Sequence, residues 1–110
     1  MSRLGTVKFS GKSGSRYLFE AYPLETVFEK GCSGVYVVTR RRAAGSGTGF
    51  VHRRICTGQS DDLRRPVTGH GTSWSARGAN CICVHVEEDK DIRQQVKQDL
   101  VRKPRPAADA

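Results

Sequence analysis

No apolar run in this chain approaches the roughly 20 residues that a membrane-crossing helix needs, and no apolar stretch follows the N-terminus as it would in a secretory leader. Both absences point to a soluble, cytoplasmic protein without a membrane partner. In such a compartment the four cysteines read as buried or reactive thiols, because a disulfide framework belongs to secreted chains. Acid is scarce as well: 11 Asp and Glu stand against 19 Lys and Arg, which leaves a net charge of +8. A surplus of that size attracts polyanions over about a Debye length, roughly 8 Å, so nucleic acid is the partner it favours, DNA before RNA. Charge alone gives non-specific affinity and names no substrate. A nucleotide-binding P-loop is also missing. Gly11-Lys12-Ser13 matches the end of that motif, but Thr6 stands where its first glycine belongs and no helix is expected to follow.

At 110 residues the chain has the length of one domain with one modest core. Thr6–Phe9 and Tyr17–Tyr22 flank a turn-rich Ser10–Ser15 and predict a hairpin that Pro23 ends. Residues 24–33 form a connection. Val35–Thr39, β-branched and aromatic, predicts a strand that runs through Arg40, Arg41 and Arg42 into the small-residue loop 43–49. Phe50–Thr57 returns as its antiparallel partner, so His52, Arg53 and Arg54 join the three arginines in one basic edge. Such an edge also serves to discourage strand-to-strand aggregation.

The stretch Arg54–Arg65 reads as a strand-to-helix junction. Gly58 frees the backbone to turn, Ser60 caps, and Asp61 and Asp62 suit the positive end of a helix. Counted from that cap, Pro66 falls in the second turn, where proline costs about 3 kcal/mol, so the helix should be short or bent. Thr68–Asn80 reads as a glycine- and serine-rich loop anchored by Trp74. Cys81–Val86 alternates with a period of two, with Ile82, Val84 and Val86 on one face and Cys81, Cys83 and His85 on the other. Alternate strand residues lie about 6.8 Å apart, whereas two sulfurs on one zinc approach within roughly 4 Å, so buried thiols are preferred to a metal site. After an acidic lead-in at 87–91, Ile92, Val96 and Leu100 give a final helix its buried stripe, and Pro104 and Pro106 end it.

The order of these elements, with Gly34-Val35-Tyr36, then Ile55-Cys56-Thr57-Gly58-Gln59-Ser60-Asp61-Asp62-Leu63-Arg64-Arg65, then His70 and a closing helix through Asp99-Leu100-Val101, resembles the GIY-YIG nuclease family. The resemblance implies an α+β fold in which a small antiparallel sheet, three family strands plus an N-terminal β-hairpin, packs with helices. Residues 1–32 would be the hairpin extension, 33–106 the family-like domain and 107–110 a disordered tail, all within a single domain. It also implies cleavage of nucleic-acid phosphodiesters with a divalent metal. Tyrosines would activate water, an arginine would stabilise phosphate charge and a glutamate would hold the metal.

Carried over residue by residue, Tyr36 matches the first tyrosine, while Cys56 replaces the second and Thr57 its aliphatic neighbour. The arginine position falls on Pro66, with Arg65 one residue short, and the glutamate position falls on Lys97, whose ammonium repels a metal. Asp109 stands nearest to a late asparagine of the family. Tyr36, Cys56, Arg65 and Lys97 thus mark a substituted site, with no metal ligands and no cofactor expected. The reading that follows is a nucleic-acid-binding relative of the endonucleases with impaired or lost cleavage. Arg40, Arg41, Arg42, Arg53, Arg54, Arg64 and Arg65 would meet the phosphates. The alternatives are a Mg2+-dependent endonuclease with a rearranged site, using Tyr36, Arg65 and an acid such as Glu88, and a non-enzymatic protein-interaction module.

Overall fold

The computed structural model describes residues 3–45 and 49–101. Five strands, β1 (Gly5–Ser10), β2 (Arg16–Pro23), β3 (Gly34–Ala43), β4 (Phe50–Ser60) and β5 (Cys81–Val86), and two helices, α1 (Arg64–Ala76) and α2 (Lys90–Val101), make an α+β fold. The strands form one sheet in the order β1-β2-β5-β3-β4, with every neighbouring pair antiparallel. The N-terminal hairpin therefore continues the sheet through β2 and β5 rather than standing beside it.

Strand alternation gives each side of the sheet its own core. Val35 and Val37 of β3 face one side with Phe9, Phe19, Cys81 and Cys83, where Val96 and Leu100 of α2 cover them. Tyr36 and Val38 face the other side with Ile82 and Val84, covered by Leu63 and by Trp74 of α1. On the α2 side the sheet curls until its two edges meet. Arg54 of β4 lies over the Phe9 ring of β1 at 4.9 Å, and its Nη2 donates to the Ser10 carbonyl at 3.3 Å.

The turn between β1 and β2, with its Gly11-Lys12-Ser13, packs against α2. It grips Asp99 of α2: the Ser13 amide and hydroxyl donate to its carboxylate at 2.8 and 2.7 Å, and the Tyr17 hydroxyl donates at 2.8 Å. These bonds, the Ser13 hydroxyl foremost, hold the Asp99 carboxyl below its usual range.

The strand-to-helix junction differs from the sequence expectation. β4 runs on to Ser60, and Gly58 lies within it opposite Tyr36. Gly58 is not a hinge there; a Cβ at that position would collide with the Tyr36 phenol. Ser60 closes a tight turn instead of capping a helix, accepting from the Asp62 amide at 3.0 Å and donating to the Asp62 carbonyl at 2.9 Å. α1 starts at Arg64, so Pro66 falls in its first turn, where no helical partner for its missing N–H exists.

The helix then spans 13 residues and takes in most of the stretch expected to be a loop. Gly69 and Gly71 each weaken it by about 1 kcal/mol, but burying Leu63 at its start and Trp74 near its end returns about 1.5–3 kcal/mol apiece. Packing outweighs propensity. In α2, Asp89 caps the start by accepting from the Asp91 amide at 2.9 Å. Its buried stripe is Arg93, Val96 and Leu100, while Ile92 is exposed. Pro104, Pro106, Asp109, the tail 107–110 and part of the loop 43–49 lie outside the described residues.

Candidate phosphate-binding cleft

At the end of the sheet where β4 finishes, Tyr36 opens into a cleft of about 470 Å³. Arg65, Pro66 and His70 of α1 form one wall, Lys90 and Arg93 of α2 another, and Gln59 to Asp61 the floor between them. Each is placed by a local cause. Tyr36 lies flat across Gly58, 5.6 Å from the Trp74 ring, and Trp74 also packs 5.7 Å from His70. Burial, with the Cys56 thiol adding, pushes the Tyr36 phenol up from its ordinary value. At neutral pH it is a hydrogen-bond donor and not a base.

Arg93 defines the electrostatics. Only 4% exposed, its guanidinium donates from Nε to Gln59 Oε1 at 2.8 Å and from Nη1 to the Glu87 and Glu88 carbonyls at 3.1 and 2.8 Å. All these partners are neutral acceptors, and among the described residues no carboxylate pairs with it. A buried cation without a counter-charge is costly unless an anion completes it. Arg65 is different. It pairs with Asp61 and reaches Asp62 at 3.9 Å, but its side chain is largely exposed, where an ion pair contributes about 0–1 kcal/mol.

Of the four site positions marked in the sequence, Tyr36 and Arg65 share this cleft, and Cys56 packs beside Tyr36 without lining it. Lys97 does not line it; one helical turn earlier, Arg93 occupies the α2 position that does. Glu88 offers Arg93 its carbonyl and not its carboxylate. The seven arginines also divide. Arg40, Arg41, Arg54 and Arg64 are tied to protein carbonyls, of Gly78, of Leu4, of Leu100 and Ser10, and of Phe28. Arg40, Arg42 and Arg53 line a shared basic hollow of about 430 Å³.

Arg93, Lys90 and Gln59 were missed in the sequence. The available signal was a charge in phase with Val96 and Leu100, three and seven residues before them on the helix face. The class defined by fold and site is a small α+β protein with an electropositive cleft. No protein-family model, curated protein or solved structure matches the chain.

Proposed function

We propose that the chain is a nucleic-acid-binding protein related to the GIY-YIG endonucleases, that it holds a backbone phosphate in the Tyr36 cleft, and that its metal-dependent cleavage is impaired or lost. The observation that carries this reading is Arg93, buried in the cleft with neutral partners only. A phosphate oxygen seated there would complete its charge, with the Tyr36 hydroxyl, Lys90 and His70 as further donors. A divalent metal finds little support in the same place. Hard cations require carboxylate oxygens, and Asp61, the acid on the cleft floor, is engaged by Arg65. Arg40, Arg42 and Arg53 extend the positive field along the β3–β4 hairpin, as a backbone-tracking surface would. DNA is the preferred partner over RNA.

The test is binding of a labelled DNA duplex over a salt series. Affinity should fall steeply with salt, by about 0.9 log unit per log unit of salt for each phosphate contacted. Lys90→Ala and the Arg42→Ala, Arg53→Ala pair should flatten that slope, and plasmid nicking with Mg2+ should stay at background. Salt-independent binding would return the chain to the protein-interaction reading. Metal-dependent nicking that disappears in Tyr36→Phe would favour the rearranged endonuclease.

A further inference from the structure

β4 changes faces part-way along its length. Cys56 pairs with Val38 but Arg54 pairs with Thr39, which leaves Ile55 as an extra residue in a β-bulge. A bulge of this kind reverses the facing of the side chains beyond it. From Cys56 onward the even-numbered residues of β4 lie on the Tyr36 side; before the bulge, His52 and Arg54 turn to the α2 side, where Cys81 and Cys83 stand. His52 Nδ1 comes within 3.9 Å of Cys83 Sγ, and the two sulfurs are also 3.9 Å apart. All three atoms fall within 4.8 Å of one another. The expectation that one strand cannot bring two sulfurs this close fails, because the side chains lean together from backbone positions that are farther apart.

We propose that His52, Cys81 and Cys83 bind one thiophilic d10 cation, of which Zn2+ is the representative, and that this ion clamps β4 to β5 across β3. Two thiolates on zinc at about 2.3 Å lie roughly 3.8–4.0 Å apart, so the sulfur spacing already suits the ion. The donor set of two sulfurs and one imidazole selects soft or borderline metals and disfavours Mg2+ and Ca2+. Thr39 Oγ1, 2.9 Å from His52 Nδ1, adds a hydroxyl at the centre of the group. Buried cysteines pack as small apolar residues by themselves, and the His52 ring, edge-on to Phe9 at 6.3 Å, is held against them.

Binding Zn2+ displaces both thiol protons to solvent and leaves a neutral Zn2+–dithiolate beside the Arg41 guanidinium. No electron is transferred. The ion would reach the site through a slot of about 230 Å³ between β1 and β4, lined by Leu4, Val7, Phe50 and His52.

The experiment loads the reduced full chain with Zn2+ alone, removes excess by gel filtration and counts metal by native mass spectrometry. Co2+ replaces Zn2+ in a second sample to show thiolate-to-metal charge-transfer bands. One equivalent per chain is expected. His52→Asn, at a half-buried strand position, should weaken binding by more than about 100-fold, beyond the roughly 10–100-fold typical of a residue that only supports a ligand. Cys81→Ala with Cys83→Ala should abolish binding and the charge-transfer bands. If that double variant fails to fold, His52→Asn decides. No retained zinc, or zinc held equally well by His52→Asn, overturns the proposal.

Discussion

The two sides of this sheet share its strands and do opposite things with their polar groups. At the end of the sheet, Tyr36, Arg65 and Arg93 gather around an open cleft, where Arg65 pairs with Asp61 and Arg93 has only neutral partners among the described residues. On the α2 side, Cys81, Cys83, Thr39 and His52 form a cluster whose members bond chiefly to one another. One inserted residue, Ile55, separates the two arrangements, because it decides on which side His52 and Arg54 fall. Side-chain type sets what each group can bind, and strand phase sets which groups meet.

The largest effect that would separate the two sides comes from their cores. Trp74→Ala should cost about 3–5 kcal/mol in urea denaturation and release α1, lowering DNA affinity as well. Phe19→Ala, of similar cost, should loosen the α2 side and leave any remaining folded protein with its cleft. Deleting Ile55 should cost about 3 kcal/mol or more, since it turns Arg54 away from Phe9 and Ser10 and removes His52 from the thiols. The chemical denaturation midpoint and zinc retention would report both consequences. Gly58→Ala should cost about 1–3 kcal/mol, because the new methyl must push the Tyr36 ring aside. Its signature is a loss of DNA affinity out of proportion to the loss in thermal midpoint.

Most of this sheet was legible in the sequence, and the reasons are physical. β1, β2, β3 and β5 carry β-branched and aromatic residues between strong turn signals, so their alternation shows. Only the start of α1 showed, as a short or bent helix, because only one residue of its 13 is buried and two glycines interrupt it. The bulge left no local signature at all; Ile55 looks like any strand residue, yet it overturns the facing of everything before it. Within the cleft, Tyr36 and Arg65 were found through the order of motifs. Arg93 was passed over because Ile92, Val96 and Leu100 give an apolar four-residue spacing, whereas the observed stripe follows alternating three- and four-residue steps through a charged residue.

A smaller effect tests how firmly α2 is fixed to the sheet. Asp99→Asn should lower the thermal midpoint at neutral pH, since Ser13 and Tyr17 lose their charged acceptor. The folded-state pKa of Asp99 is depressed, so its contribution is present above the unfolded value and disappears as pH falls through the folded one. Parent and variant melting curves should therefore converge in acid. A constant gap at all pH values would mean that the turn holds the side chain by shape and not by charge.

The most direct test of the phosphate-binding account is an NMR titration of the isotope-labelled protein with a short DNA duplex at low salt, following the Arg93 Nε–H and the imidazoles of His70 and His52. The account predicts that Arg93 and His70 shift together and saturably, that the shifts reverse on adding salt, and that His52, which lines the hairpin hollow with Arg40, Arg42 and Arg53, shifts with them. Shifts confined to the β3–β4 hairpin arginines, with Arg93 and His70 unmoved at saturation, would contradict it.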